Sequence, residues 1–207
     1  MTIRAIEGLP GAQVVIISGP SGVGKDPIID AMKRREPEHP RRYVITVTTR
    51  DPRESETDGV HYHFYSVDDY QRLVASEGLL EASLVHDHWY GTPRDQVQSA
   101  IRSGRDAILK IDVQGADKVR ARIPDALLIF VVPPSLEELQ RRLRARRTET
   151  PEQLELRLRN AKIEMARMGE FDHVVVNETD KVDETAEAID GIIAAEHRRY
   201  ADRRIRV

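Results

Sequence analysis

The sequence predicts an α/β fold: a parallel sheet of the P-loop type flanked by helices, with a small mixed β lobe inserted into it. Three observations predict it. A buried-strand signature, Val14-Val15-Ile16-Ile17-Ser18, runs directly into Gly19-Pro20-Ser21-Gly22-Val23-Gly24-Lys25 and then into a helical pattern. Short apolar runs at residues 107–112, 127–132 and 174–176 alternate with helical stretches, the order that builds a parallel sheet. Between about residues 46 and 90 this alternation is broken by strand-like, period-two segments, which read as an inserted lobe.

The glycine-rich turn carries the first chemical signal. Gly19, Gly22 and Gly24 have no Cβ, so successive backbone N–H groups are free to turn inward on a phosphate. The helix beginning near Lys25 aims its positive end at the same point, and the lysine adds a full charge for β and γ oxygens. Strand, loop and helix together make a nucleoside triphosphate site. Asp26 stands where a Ser or Thr hydroxyl ordinarily ligates Mg²⁺. Pro27 is tolerated in a first helical turn, so the helix survives while the metal ligand changes.

The first helix is expected to end near Arg35, ahead of Pro37 and Pro40. Residues 43–50 alternate and are β-branched, a strand. A loop with Pro52 and Gly59 follows, and residues 61–65 resume the alternation. Ser66, with Asp69 three positions on, caps a short helix through Ala75 that stops at Gly78. Residues 79–85 and Trp89-Tyr90 form a hairpin around Asp87. Thr92-Pro93 caps the next helix, which runs to about Arg102 and closes on Gly104. Residues 107–112 are a buried strand ending in an acid, followed by a short helix to Arg122, a strand over 127–132 and a helix capped by Ser135 with Glu138. Thr150-Pro151-Glu152-Gln153 opens a helix with apolar positions Leu154, Leu158, Ala161, Met165 and Met168 at helical spacing. A strand over 174–176 and a helix from Val182 to about Arg199 complete the chain. Repeats, low-complexity tracts and long linkers are absent, so one globular unit is expected.

Composition narrows the function. The net charge of −3 argues against a general nucleic-acid footprint. With no cysteine, disulfides and thiolate metal sites are excluded. The first residues lack a signal-peptide core, and the longest apolar run, 126–132, is too short for a bilayer, so a cytoplasmic protein without membrane or nucleic-acid partners is expected. The histidine pairs 61/63 and 86/88 lie in strands or turns and read as structural rather than zinc-binding. The arginines at 198, 199, 203, 204 and 206 suit the negative end of a helix dipole.

Read together, the phosphate loop, Thr48-Thr49-Arg50-Asp51-Pro52-Arg53, Tyr90-Gly91-Thr92-Pro93, Ile111-Asp112-Val113-Gln114-Gly115 and the arginine-rich residues 139–147 resemble the guanylate kinase family over roughly residues 14–197. The resemblance implies a core of about five parallel strands over residues 12–45 and 91–200, a GMP-binding lobe over 46–90 and an arginine-bearing helical lid over 141–157. It implies transfer of the γ-phosphoryl of ATP to GMP with Mg²⁺, by a monomer or homodimer. Such a transfer brings two polyanions together and needs cations and in-line positioning rather than a general base.

Arg50 and Arg53 lie three apart on a loop, and planar guanidinium forks grip a phosphate bidentately. By resemblance these two, with Tyr62 and Tyr90, hold the GMP phosphate. Guanine presents N1–H and the N2 amine side by side, so one carboxylate accepts both, a pair that adenine does not offer. The resemblance gives that role to Glu81, with Thr92 and Asp112 completing the base contacts and Thr46 at a position usually serine. In the lid it assigns Arg142, Arg146 and Arg157 to the transferring phosphate, leaving Arg141, Arg144 and Arg147 as a solvated face. Asn177 matches a residue near adenine. Lys25, Arg50, Arg142, Arg146 and Arg157 are then the catalytic set, and residues 19–26 with Asn177 the ATP site.

Two positions depart from the family pattern. Asp26 gains an acid at the phosphate loop, and Lys110 replaces a usually acidic residue two before Asp112, on the same strand face. The expectation is compensation: Asp26 offers an oxygen to Mg²⁺ and Lys110 balances the added charge. A ribose 1,5-bisphosphate phosphokinase-like enzyme and a catalytically inactive binding module are the alternatives. The retained Arg50, Arg53, Tyr62, Glu81 and Tyr90 set favours GMP over the first, and intact Lys25 and lid favour catalysis over the second.

Overall fold

In the computed structural model the described residues are 7–54, 56–85, 87–145 and 151–207, the side chains of 145, 151 and 153 excepted. The backbone forms a five-stranded parallel sheet and a four-stranded mixed sheet. In the order β2-β7-β1-β8-β9 the large sheet comprises Arg41–Tyr43 (β2), Asp106–Lys110 (β7), Val14–Ser18 (β1), Leu127–Val132 (β8) and His173–Val176 (β9). Strands β1 and β8 are buried at every position, which is why they read as unbroken apolar runs rather than alternating ones. The chain divides into two compact units.

One unit comprises the described residues of Met1–Ile16 with His39–Leu127 and Arg199–Val207. It contains the small sheet, ordered β4-β3-β6-β5 from His63–Phe64 (β4), Val47–Thr48 (β3), His88–Pro93 (β6) and Leu79–Val85 (β5). Its helices are Val67–Ala75 (α2), Arg94–Arg102 (α3) and Val113–Arg122 (α4). Val47, Tyr70 and Leu79 form the core of the lobe, and Tyr70 stacks on Trp89 with ring centroids 5.8 Å apart. As expected, the Ser66 hydroxyl accepts from the Asp69 N–H, and Asp87, in the left-handed region at φ 65°, turns the hairpin.

The strand expected over 43–50 is two strands in two sheets. Residues Arg41–Tyr43 pair in parallel with β7, and Val47–Thr48 pair antiparallel with β6. At the crossover the Gln96 side-chain amide replaces a neighbouring strand, accepting from the Ile45 N–H at 2.9 Å and donating to the Ile45 carbonyl at 3.3 Å. A distant side chain satisfies the backbone there, so the β-branched run carries no mark of the break. Residues 61–65 contribute only β4, with an isolated bridge between Asp58 and Tyr62.

Two expected caps also differ. Thr92 does not cap α3; Pro93 holds that position without a side-chain bond, because the Thr92 hydroxyl is donated to Glu81. Strand β7 stops at Lys110, and Asp112 is the N-cap of α4, accepting from the Gly115 N–H at 2.9 Å.

The other unit comprises Ile17–Glu38 and Leu128–Arg198. Helix Lys25–Arg34 (α1) follows the phosphate loop, then come Leu136–Ala145 (α5), Pro151–Ala166 (α6), a single 3-10 turn Met168–Glu170 and Val182–Arg199 (α7). Leu139, Leu143 and Ala161 pack together with Leu154, Leu158 and Met165, as the helical spacing predicts. Met168 does not join them: it lies beyond the end of α6 in the 3-10 turn and is exposed. Ser135 caps α5 through the Glu138 N–H, whereas Thr150, expected to open α6, lies outside the described residues. Arg34, the last residue of α1, and Arg35, its C-cap, pair with Asp183 and Asp190 on α7, at 3.2 and 2.7 Å.

Candidate active site

The phosphate loop belongs to the second unit and its shape is held from outside. Gly19 has φ 143°, and a Cβ there would run into the Val131 carbonyl oxygen of β8. Gly24, at φ 104°, is the N-cap of α1, and a Cβ on it would lie 2.6 Å from the Asn177 amide nitrogen. These two positions require glycine for backbone conformation and for space. The Val23 carbonyl accepts from the Asn177 amide at 2.8 Å and from Arg142 Nη1 at 3.1 Å. Arg142 also donates to the Asn177 carbonyl at 3.0 Å and to Glu138 at 2.7 Å, and Thr185 donates to Asn177 Oδ1 at 3.0 Å. Lys25 reaches back over the turn to the carbonyls of Gly19 and Pro20. Pro20 and Val23 are buried, while Ser21, Gly22 and Asp26 are half-buried around the loop.

The Asn177 amide and Arg142 Nη1 thus both donate to the loop itself. Glu138, four positions before Arg142, and Thr185, eight after Asn177, complete the brace, roles that sequence reasoning missed because Arg142 and Asn177 themselves reach the loop only through contacts 119 and 154 positions apart. The Glu138 carboxyl is drawn down to about 2 by hydrogen bonds from Arg141 and Arg142. Arg157 is half-buried on α6; Arg146 lies outside the described residues.

The lobe of the first unit holds a carboxylate corner. Glu81 is 3% exposed and accepts from the Thr92 and Ser83 hydroxyls, each at 2.9 Å. Burial, reinforced by the nearby Asp112 charge, pushes its carboxyl above the ordinary range, against the opposing pull of the two hydroxyls and Lys118. A Cβ on Gly115 would lie 3.0 Å from Asp112 Oδ1 and 3.2 Å from Glu81 Oε2, so this glycine gives two acids room beside the first turn of α4. Lys118 donates to Ser83 Oγ at 3.2 Å and to the Ala82 carbonyl. Ser83 and Lys118 were not singled out in the sequence; Ser83, two residues from Glu81 on one strand face, was the legible signal.

The same lobe holds a guanidinium cluster. Arg50 Nη2 donates to both oxygens of Glu56 at 2.9 Å, Nη1 donates to the Asp51 carbonyl at 2.6 Å, and Nε donates to the Tyr90 hydroxyl at 3.3 Å. The Arg53 N–H donates to Glu56 at 2.9 Å, and its guanidinium stands 3.5 Å from the same carboxylate. Burial works against both charges, yet the hydrogen bonds prevail: Arg50 is held above its usual value and Glu56 below its own. Tyr62 meets Tyr90 edge-on at 6.1 Å, and its ring carries Arg50 at 5.6 Å and Lys110 at 4.3 Å. Thr46 is buried in the lobe, its carbonyl accepting from the His63 N–H. Arg50, Arg53, Tyr62 and Tyr90 therefore cluster as expected, and so do Glu81, Thr92 and Asp112. Glu56 is the unforeseen member, since the loop offers several acids and only the fold selects one.

A backbone cradle closed by a lysine, on a parallel sheet, defines a P-loop nucleotide-binding protein. The guanylate kinase family model matches residues 11–196. Guanylate kinase of Cutibacterium acnes is 48% identical over 80% of this chain and 83% of its own, and that of Thermobifida fusca 45% identical over 88% and 91%. The crystal structure of guanylate kinase from Anaplasma phagocytophilum superposes with a TM-score of 0.73 at 28% identity, covering 91% of this chain and 88% of that one. The chain belongs to the guanylate kinase family, and its activity is the ATP-dependent phosphorylation of GMP. Nothing in these comparisons favours the bisphosphate kinase or the inactive module.

Proposed function

We propose that this activity is carried by the residues assembled above, with the guanine edge read by Glu81. The observation that carries the reading is a buried carboxylate flanked by two donating hydroxyls and a second acid, beside a paired-arginine cluster. In its ionised form Glu81 accepts N1–H and the N2 amine of guanine, while Thr92 and Asp112 hold the remaining edge. Arg50 and Arg53, with the Tyr62 and Tyr90 hydroxyls, grip the GMP phosphate, and Thr46 lines the same lobe. The loop from Gly19 to Lys25 wraps the ATP phosphates with main-chain N–H groups, and Lys25 exchanges its carbonyl partners for β and γ oxygens. Arg142 and Asn177 keep the loop in shape, so Arg142 acts on the phosphates from behind the backbone. Arg146 and Arg157 supply charge to the transferring phosphoryl group.

Asp26 suits a magnesium–nucleotide: it is one half-buried carboxylate in the first turn of α1, and Mg²⁺ carried on phosphates needs few protein ligands. When bound, the metal would neutralise developing phosphate charge. The enzyme works in the cytoplasm as a monomer or homodimer, in a single guanylate kinase-like domain. Among the described residues no helix is long and apolar enough to cross a membrane. Measuring ADP formation with GMP, AMP, UMP and ribose 1,5-bisphosphate tests the reading. GMP is expected to exceed the others by orders of magnitude; comparable rates with AMP would overturn the role of Glu81.

A further inference from the structure

The acceptor-phosphate cluster has a charge shortfall. Arg50 and Arg53 bring two positive charges, but Glu56 contacts both, leaving one net positive charge against a phosphomonoester that carries nearly two negatives at neutral pH. A third cation stands on the same aromatic ring. Lys110 Nζ lies 4.3 Å from the centroid of Tyr62, the ring that also carries Arg50 at 5.6 Å and meets the edge of Tyr90. Lys110 ends β7 at its carboxyl end, the side on which open parallel sheets bind ligands, and Asp112 of the carboxylate corner follows two residues later. A half-buried ammonium held over an aromatic face is also less hydrated than one in bulk water, so its pull on an incoming anion is greater.

We propose that Lys110 is a third cation of the acceptor-phosphate cradle, positioned by the Tyr62 ring to take the phosphate of the nucleoside monophosphate together with Arg50 and Arg53. The proposal rests on the assignment of that cradle to GMP. With Lys110 the three cations less the Glu56 carboxylate come to two net positive charges, matching the nearly two negatives of the bound phosphate.

Isothermal titration of GMP and of guanosine, which lacks the phosphate, into the parent protein, Lys110→Met and Lys110→Arg tests it. Lys110→Met should weaken GMP binding about tenfold, as expected for loss of a charged partner, and leave guanosine binding unchanged. Lys110→Arg should stay within about threefold of the parent, because it keeps the charge. The gap between the parent and Lys110→Met should narrow as salt rises. Equal weakening of GMP and guanosine would overturn the proposal and make Lys110 a packing residue for Tyr62; unchanged GMP binding would overturn it outright. Failure of the parent protein to bind GMP would instead overturn the underlying assignment of the cradle.

Discussion

The two cradles of this enzyme are built from different material. In the phosphate loop the groups proposed to face an anion are main-chain amides, while Asn177 gives its side-chain amide to the Val23 carbonyl and Arg142 shares its donors among Val23, the Asn177 carbonyl and Glu138. In the lobe the working groups are side chains held by other side chains: Arg50 by Glu56 and Tyr90, Glu81 by Thr92 and Ser83. A substitution in the loop therefore acts through backbone shape and should abolish function, whereas one in the lobe acts through charge and hydrogen bonding and should alter affinity and choice of base.

The hardest blow to that contrast would come from Gly19→Ala. A side chain at φ 143° pressed against the Val131 carbonyl has nowhere to relax, so activity should fall on the order of 10³-fold with a lowered melting temperature. Activity within tenfold of the parent would mean that the loop is not a rigid backbone device.

Next in size is Glu81→Gln, which should cost kcat/KM for GMP on the order of 10²-fold while leaving ATP affinity unchanged. Its melting temperature at neutral pH should not drop, because burial makes the ionised form of Glu81 unfavourable. The pH dependence has a definite sign. A folded-state pKa above 4.5 means that ionised Glu81 opposes folding at higher pH, and this cost is relieved as pH falls through the raised value. Protonation removes the guanine acceptor over the same range, so KM for GMP should rise towards acid pH in the parent. That rise should be smaller in Glu81→Gln, which keeps only the part due to protonation of the GMP phosphate itself, and paired KM profiles of the two proteins against pH would reveal the difference.

Thr185→Val is milder. It removes one donor from Asn177 Oδ1 and should raise KM for ATP about threefold to tenfold with KM for GMP unchanged, visible in steady-state kinetics. A matching rise for GMP would erase the distinction between the cradles. The smallest expected effect is at Glu138. Its carboxyl is depressed from 4.5 to about 2, so its contribution to stability is complete above 4.5 and disappears as pH falls towards 2. The melting-temperature difference between the parent and Glu138→Gln should shrink over that acid window.

The sequence by itself determined the phosphate loop, the central strands and most helices, because each is written in contiguous residues: a glycine pattern between strand and helix, unbroken apolar runs, a hydroxyl cap three residues before its N–H. It also marked the residue types of the lobe, Arg50, Arg53, Tyr62, Glu81 and Tyr90. Tertiary structure alone decided that the β-branched run read over 43–50 is divided between two sheets, since a Gln96 amide from a distant helix closes the gap. It likewise decided that Thr92 serves Glu81 rather than a helix end, that Glu56 and not a neighbouring acid clasps the arginines, and that Arg142 and Asn177 hold the loop. Hydrogen-bond partners remote in sequence leave no local period or composition to read; they exist only once folding has brought the donors and acceptors within reach.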